Sequence, residues 1–338
     1  MSIPLHIIIL AAGDGTRMKS RLPKVLHTIG GRPMLAHVHQ AALELNPRRI
    51  HIVFNPETPK VKDSLAGHDI EWVPQQQRLG TGHAVQQAMP GVEDDAQVLV
   101  LYGDLPMLTP QLLEPLLETS AGGLSILTMQ LEQPHGYGRI VRDGQGRVTS
   151  IVEEKDASGP QKAIKEVNSG IIMAPAGKLG EWLSGLQNQN SQGEYYLTDI
   201  VLAASRDGAE ISTVPATDPR ELMGANDQAQ MAELENHFRD RVARRLMLDG
   251  VRIADPKRIE IRGDVKTGAD VHLDINVVLE GAVELGDGVQ VGPGCVLKDC
   301  VLAAGTRVHP YSVMEGVTTH GPCDIGPFAR VRPGTDLG

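Results

Sequence analysis

Aromatic residues, cysteines and long apolar runs are all scarce in this chain. Aromatic side chains make up only 3% of its 338 residues, so its cores must consist mainly of aliphatic side chains. Cys295, Cys300 and Cys323 form no close Cys-x-x-Cys pair, which argues against a disulfide framework or a zinc site. No stretch approaches the roughly 20 apolar residues of a membrane span, and no basic region precedes the first apolar run. We therefore expect a cytoplasmic protein without membrane insertion.

Positive charge is also in short supply. The chain has 32 lysines and arginines against 42 aspartates and glutamates, a formal net charge of -10. This balance argues against an extended surface for nucleic acid or anionic membranes, so any cations that bind an anion must be clustered locally. The length exceeds one comfortable core, and two domains are expected.

Up to about residue 225, short apolar runs alternate with helical patterns. The predicted strands are His6–Leu10, Arg49–Phe54, Gln97–Tyr102 and Leu124–Met129. The predicted helices between them are Pro33–Leu45, His83–Met89 and Pro110–Ser120. This alternation predicts an α/β fold with a doubly wound, mostly parallel, Rossmann-like sheet, whose ligands lie outside the carboxyl ends of the strands.

The first apolar run leads into a glycine turn, Leu10-Ala-Ala-Gly-Asp-Gly-Thr-Arg-Met18, and then into Pro23-Lys24. It is not a Walker loop, because Gly-Lys-Ser/Thr is missing, and Met18 replaces the third glycine of a dinucleotide fingerprint. Exposed backbone amides with Arg17 and Lys24 could clamp a polyphosphate. The spacing alone leaves equally open that both are ordinary surface cations.

Four further polar features have a simple structural interpretation. Asp104 follows the strand that ends at Tyr102, where a carboxylate can hold a metal ion or simply form a turn. By spacing alone, the charged run 153–156 is a solvated surface, and Asn168 and Asn226 are turn residues.

Beyond residue 226 the pattern changes from alternation to repetition. Met231, Leu234, Phe238, Val242 and Leu246 recur at helical spacing from Asp227 to Asp249, and Gly250 ends the helix. Aliphatic residues then recur every six positions, which predicts a left-handed parallel β-helix of hexapeptide repeats. The two inward registers are Val271, Val277, Val283, Val289, Cys295 and Val301, and Leu273, Leu279, Leu285, Val291 and Leu297. The predicted domains are 1–226, a linker helix 227–250, and a β-helix 251–338.

The ordered motifs resemble a known enzyme family. Besides the glycine turn, the matching stretches are Gln75 with Leu79–His83, Tyr102–Pro106, Gly136–Arg139, Ile151–Asp156, Val167–Gly170, Gly193–Asp199 and Gly224–Asn226. Together they resemble the sugar-nucleotide pyrophosphorylases, and among these the bacterial bifunctional N-acetylglucosamine-1-phosphate uridyltransferases with a second, acetyltransferase half. The resemblance covers essentially the whole chain.

This resemblance implies a reaction and its partners. UTP and N-acetylglucosamine 1-phosphate would give UDP-N-acetylglucosamine, a cell-wall precursor, and pyrophosphate. Arg17, Lys24 and Asp104 are the implied catalytic residues, and Asp104 with Asn226 the implied Mg²⁺ ligands. Pyrophosphorylases for another base or sugar remain an alternative. So do non-catalytic regulatory subunits of similar architecture, although retention of the four charged and amide residues disfavours them.

The resemblance also implies the substrate contacts. Gln75, Gly80 and Thr81 face the uracil, opposite the backbone of Ala11, Ala12 and Gly13. The sugar pocket is expected in a lid segment from Gly136 to Asp199. The full set of implied contacts is Leu10, Ala11, Ala12, Gly13, Lys24, Gln75, Gly80, Thr81, Tyr102, Gly103, Asp104, Gly138, Glu153, Asn168, Tyr196, Thr198 and Asn226.

For the second domain, the resemblance implies a homotrimer held by the β-helix. Of the acetyl-transfer residues only Arg332 has a match here, and neither His309 nor His320 is a credible substitute base. We therefore expect a C-terminally truncated chain that transfers no acetyl group.

Overall fold

The computed structural model describes residues 3–13, 15–119 and 122–337. The chain forms two compact units, one of Met1–His27 with Pro33–Asp227 and one of Thr28–Arg32 with Gln228–Gly338. The helix that follows residue 227 therefore belongs to the same unit as the repeats. The functional division at residues 226 and 250 stays a prediction.

Strands and helices alternate up to residue 227. In chain order the strands are β1 (Leu5–Ala11), β2 (Thr28–Ile29), β3 (Arg32–Pro33), β4 (Arg49–Phe54), β5 (Glu71–Pro74), β6 (Gln97–Tyr102), β7 (Leu124–Gln130), β8 (Arg139–Arg142), β9 (Val148–Val152), β10 (Glu166–Pro175) and β11 (Ile211–Pro215). The helices are α1 (Met34–Glu44), α2 (Lys60–Asp63), α3 (Thr81–Ala88), α4 (Pro110–Thr119), α5 (Gly159–Lys162), α6 (Ala176–Ser184) and α7 (Ile200–Arg206). Ser120, the predicted end of α4, lies outside the described residues.

The main sheet has the strand order β11-β7-β10-β6-β1-β4-β5, with the β8–β9 hairpin attached to β10. β1 pairs in parallel with both β4 and β6, and β4 pairs in parallel with β5. β10 is antiparallel to both of its neighbours, β6 and β7. The predicted mostly parallel, doubly wound sheet is confirmed, and it contains one antiparallel central strand.

Alternate residues of β1 serve two different cores, because successive side chains of a strand point to opposite faces. Ile7 and Ile9 pack on the face that α1 covers, whereas Ile8 packs on the face that α3 and α6 cover. A strand buried on both faces is a continuous apolar run, which is why this strand is recognisable in the sequence.

The expected lid segment, Gly136–Asp199, is more deeply built into the fold than predicted. Its strand β10 lies inside the main sheet and carries buried residues such as Val167 and Ile171. Of the strands in this segment, β8 and β9 lie off the seven-stranded path. The sequence pattern missed β10 because its polar and glycine residues interrupt the apolar run at Asn168–Gly170.

The second unit begins with one long helix and continues as short strands. The helix is α8 (Gln228–Leu248). The strands are β12 (Arg252–Ile253), β13 (Ile259–Thr267), β14 (His272–Leu273), β15 (Val277–Leu285), β16 (Gln290–Val291), β17 (Val296–Lys298), β18 (Val301–Leu302), β19 (Arg307–Val308), β20 (Val313–Glu315), β21 (Thr318–Thr319), β22 (Asp324–Ile325), β23 (Arg330–Val331) and β24 (Asp336–Leu337). No helix of the described ranges has both the length and the apolarity to cross a membrane.

All the strand pairs in these repeats are parallel, as a β-helix requires. One face stacks β12, β14, β16, β19 and β22. β15 bends around a corner, so that its first half pairs with β17 and its second half with β18. The inward residues Val271, Leu273, Val277 and Leu279 are fully buried, which confirms the predicted β-helix.

The six-residue register holds to Leu297 and then slips by one residue. Val301, predicted to point inward, is 42% exposed, while its neighbours Cys300 and Leu302 are buried. The corner that takes two residues in the preceding coil, Gly281-Ala282, takes Asp299 alone in the next coil, as the pairings on either side of it require. The prediction for Val301 was wrong because a corner can lose a residue without disturbing the strands that it joins.

Candidate active site

The glycine turn and Lys24 are held close together by backbone shape. Gly15 has a positive φ of 57°, and a Cβ at this position would lie 2.6 Å from the Lys24 Cβ. A side chain there would therefore push Lys24 away. Two 3₁₀ turns follow, Thr16–Met18 with Arg17 and Lys24–Leu26, and the second is preceded by Pro23.

Four predicted site residues from distant parts of the sequence form one polar network. The Lys24 ammonium contacts the Asp104 carboxylate and donates to Asn226 Oδ1 at 2.8 Å. Arg17 donates to the same Asn226 oxygen at 2.8 Å. The Lys24 and Asp104 side chains are only 14% and 21% exposed, so water screens this ion pair incompletely. The network joins the turn after β1 to the turn after β6 and to the stretch before α8.

The oxygen donors of this network fit a hard divalent cation. Asp104 Oδ2 and Asn226 Oδ1 both contact the Lys24 ammonium, so the two oxygens converge on one cationic group. Carboxylate and amide oxygens are ligands that Mg²⁺ accepts, together with phosphate oxygens and water. Among the described residues, no three or more His, Cys, Asp or Glu side chains cluster as a metal site.

The residues predicted for the uracil end also lie together. Gln75 is 3% exposed, and its amide nitrogen donates to the Gly80 carbonyl at 3.2 Å. Thr81, at the start of α3, accepts a hydrogen bond from the Leu197 amide at 3.0 Å. This part of the site is therefore ordered by contacts with its own loop and with the loop before α7.

A cavity of about 410 Å³ lies over the carboxyl ends of β1 and β6. Of the predicted site residues it is lined by Leu10, Ala11, Ala12, Gly13, Arg17, Lys24, Gln75, Gly80, Thr81, Tyr102, Asp104 and Asn226. Gly103 does not line it, because this residue packs under Leu10, whose carbonyl accepts the Gly103 amide at 2.9 Å. The cavity is therefore bounded by the turn after β1 and, on the β6 side, by Tyr102 and Asp104.

The residues predicted for the sugar form a second cluster, outside the lining of that cavity. Thr198 Oγ1 donates to Glu153 Oε1 at 2.9 Å, and a Cβ on Gly138 would lie 3.4 Å from the same oxygen. The Asn168 backbone N–H donates to the Gly138 carbonyl at 2.9 Å. Burial raises the pKa of Glu153, with smaller contributions from Asp199 and Asp156.

Tyr196 belongs to the same cluster and links it to a neighbouring loop. Its hydroxyl accepts a hydrogen bond from Gln192 at 2.9 Å and lies 3.5 Å from Asp156. Asp156 in turn accepts from both the amide and the hydroxyl of Ser191, each at 3.1 Å. The charged run 153–156 is therefore not a freely solvated surface.

Arg332 is exposed and lies directly after β23 in the second unit. His309 Nε2 lies 3.2 Å from Asp324, and His320 Nε2 lies 3.8 Å from Asp336. Both histidines lie beside carboxylates in the second unit.

Known proteins match both parts of the chain separately and nearly the whole chain together. Residues 7–162 match the MobA-like NTP transferase domain, and residues 264–299 match the bacterial transferase hexapeptide repeats. The chain is 50% identical over 337 residues to the bifunctional protein GlmU of Alkalilimnicola ehrlichii, covering 100% of this chain and 73% of that protein. It is 51% identical over 334 residues to GlmU of Pseudomonas entomophila, covering 98% of this chain and 73% of that protein. The chain belongs to the GlmU family.

One solved structure supports the fold independently of the GlmU sequences. A nucleotidyl transferase from Methanothermobacter thermautotroptrophicus matches with a TM-score of 0.50 at 18% identity, covering 70% of this chain and 97% of that chain. The predicted enzyme class, a sugar-1-phosphate nucleotidyltransferase of the GlmU type, is confirmed by the family match. The non-catalytic alternative is thus left without support.

Sequence reasoning missed several residues around this GlmU-type site. Arg78, Thr16 and Glu194 line the cavity, and Asp156 and Asp199 lie beside Glu153. Arg78 had the strongest signal in the sequence, as a cation two residues before the Gly80 turn. Glu194 lies within the matching stretch Gly193–Asp199, but its place at the cavity depends on how its loop folds onto Gly80.

Proposed function

We propose that this chain transfers UMP from UTP to N-acetylglucosamine 1-phosphate, releasing pyrophosphate and UDP-N-acetylglucosamine. The observation that carries the proposal is the network of Arg17, Lys24, Asp104 and Asn226 at the edge of the cavity. It combines two cations for phosphate oxygens with two oxygen donors for a divalent cation.

Alignment and charge stabilisation are sufficient for this reaction. The sugar phosphate is already an anionic nucleophile, so no side chain has to act as a general base. Arg17 and Lys24 stabilise the negative charge that develops on the departing pyrophosphate. Asn226 accepts from both cations and so keeps them at a defined separation. Removing one such electrostatic group typically costs on the order of a hundredfold in rate.

Mg²⁺ is part of the proposal, with Asp104 and Asn226 as its protein ligands. When bound, the cation supplies charge neutralisation to the phosphate groups that react. Asp104→Ala is expected to abolish turnover while leaving the fold intact, although the loss of the carboxylate beside the mostly buried Lys24 ammonium should lower the melting temperature. The same variant should lose Mn²⁺ binding measured by electron paramagnetic resonance. Near-normal turnover in Asp104→Ala, or full turnover in excess chelator, would contradict the metal assignment.

Base and sugar recognition follow from the two clusters. The Gln75 amide nitrogen bonds Gly80 and His83, so this residue would offer its amide oxygen to a base edge. Gly80 and Thr81 lie beside it, and the backbone of Leu10–Gly13 lines the same cavity. Glu153, Asn168 and Thr198 provide polar groups for sugar hydroxyls and the acetamido group. Gly138 and Tyr196 complete this pocket. Tyr102 lines the cavity, and Gly103 supports it from behind through its bond to the Leu10 carbonyl.

The test is pyrophosphate release from each nucleoside triphosphate combined with each sugar 1-phosphate. Turnover with UTP and N-acetylglucosamine 1-phosphate should exceed every other pair, and preference for thymidylyl or adenylyl transfer to glucose 1-phosphate would replace the proposed specificity. Given glucosamine 1-phosphate and acetyl-CoA, the 338-residue polypeptide is expected to release no coenzyme A, since Arg332 alone cannot activate an amine. Location in the cytoplasm and assembly as a homotrimer through the β-helix belong to the same proposal.

A further inference from the structure

Arg139 is the largest side chain among the fully buried ones, with 1% exposure. A buried guanidinium is costly unless its charge is paired and its N–H groups are hydrogen-bonded. The groups that the Arg139 guanidinium binds should therefore explain why an arginine occupies this buried position. No role for it follows from phosphate or metal chemistry, because Arg139 does not line the nucleotide cavity.

The guanidinium connects the two segments that flank the predicted sugar pocket. Nη1 donates to the Tyr137 carbonyl, and Nη2 donates to Glu154 Oε2 at 2.6 Å. Tyr137 directly precedes Gly138, and Glu154 directly follows Glu153. One rigid, planar group thus holds the neighbours of two pocket residues in a fixed relation.

The contact with Tyr137 also sets the direction of a backbone donor. In a trans peptide the C=O and the N–H point in opposite directions. Because the Tyr137 carbonyl faces Arg139, the N–H of Gly138 points away from the guanidinium. The Gly138 carbonyl accepts the Asn168 backbone N–H, and a Cβ on Gly138 would lie 3.4 Å from the Glu153 carboxylate.

We propose that Arg139 is a positioning residue for the sugar: it directs the Gly138 N–H into the pocket and, through Glu154, holds the turn that carries Glu153. The inference rests on the proposed function, since it assigns this pocket to an acylamino sugar. Such a sugar presents hydroxyl and amide oxygens, which accept a hydrogen bond from a backbone N–H. Arg139 itself does not touch the substrate.

The test compares Arg139→Met and Arg139→Lys with a matched control, Arg142→Met. Arg142 lies on the same strand and pairs with Glu166 at 2.7 and 2.9 Å, but on the protein surface. We expect Arg139→Met to raise the KM for N-acetylglucosamine 1-phosphate by about tenfold or more. A factor of this size corresponds to the free energy of about one lost hydrogen bond. The KM for UTP and kcat should stay near the wild-type values, and the control should match wild type throughout.

Arg139→Lys should recover part of the effect, because an ammonium can keep the ion pair with Glu154 but cannot bind two acceptors as a planar fork. Binding without turnover provides a second measurement. The ratio of UDP-N-acetylglucosamine affinity to UDP affinity, from calorimetry, should fall in Arg139→Met, with UDP affinity unchanged.

Glu154→Gln covers the case in which Arg139→Met does not fold. It keeps the contact with Tyr137 and removes only the charge of the partner, so a smaller fall in the same affinity ratio is expected. Equal losses of UDP and UDP-N-acetylglucosamine affinity, or an unchanged KM for the sugar phosphate, would overturn the inference. A wild-type protein inactive with UTP and N-acetylglucosamine 1-phosphate would instead refute the proposed function.

Discussion

At the scale of single residues, buried ionisable groups are the clearest link between structure and solution behaviour. His39, on α1, is 2% exposed, and burial, with a smaller contribution from His68, lowers its pKa to about 4. The folded protein therefore keeps this imidazole neutral at a pH where the unfolded chain protonates it. Its contribution to the free energy of unfolding is complete above pH 6.5 and is lost as the pH falls toward 4.

Replacing His39 with leucine should reduce the acid sensitivity of the fold. Wild type should lose up to about 3 kcal/mol from this one group between pH 6.5 and 4, and His39→Leu should lose that much less. Urea denaturation at several pH values measures the slope. His135→Leu is the control, since His135 is 85% exposed. If the free energy of unfolding changed equally with pH in wild type and in His39→Leu, the lowered pKa of His39 would be contradicted.

Arg17 and Lys24 allow a test of transition-state stabilisation. Each methionine variant should reduce kcat by about a hundredfold, because the negative charge that they meet grows during the reaction. The KM for the sugar phosphate should change much less. Lys19→Met, an exposed cation beside the same turn, is the control. If only the KM for the sugar phosphate rose, both residues would contribute uniform binding instead.

At the scale of elements, corners decide the register of the β-helix. Gly281 has a φ of 71°, and a Cβ there would lie 2.0 Å from Asp299 Oδ1 of the next coil. That carboxylate also accepts the Ala282 amide at 3.0 Å. The single-residue corner at Asp299 thus packs directly on the two-residue corner before it, and glycine makes this contact possible.

Gly281→Ala is expected to destabilise the second unit by about 1–3 kcal/mol more than Gly288→Ala does. Both glycines have similar positive φ values, 71° and 67°, but a Cβ at Gly288 meets nothing within 4 Å. The difference between the two variants therefore isolates the contact with Asp299 from backbone strain. Equal losses in thermal denaturation would show that strain alone matters at both corners.

At the scale of the whole molecule, apolar side chains on the outside of the β-helix favour assembly. Val301 and Val313 are each 42% exposed on the outside of the β-helix, where water contacts apolar surface. We predict a homotrimer in solution, with a mass by light scattering about three times the 36.4 kDa of one chain. A mass of one chain at every concentration tested would contradict this. Charged substitutions at both valines should shift the equilibrium toward monomer.

Much of the fold could be predicted because its signals are local. A strand buried on both faces is a continuous apolar run, and a β-helix repeats its inward aliphatics at a short, regular spacing. β1, β6 and the registers up to Leu297 carry those signals. β10 does not, because a central strand interrupted by Asn168–Gly170 looks like a loop in the sequence.

The sequence by itself determined the sheet core of the first unit and the β-helix core of the second. It also determined the glycine turn with Arg17 and Lys24, and the family motifs. Only the tertiary structure decided which distant residues meet: Asn226 bonds Lys24 across 202 positions, and Glu194 reaches the cavity. It also turned Val301 outward and buried Arg139 between Tyr137 and Glu154. The physical reason is that periodic burial is encoded within a few residues, whereas a polar contact depends on strand order and on where each loop folds back.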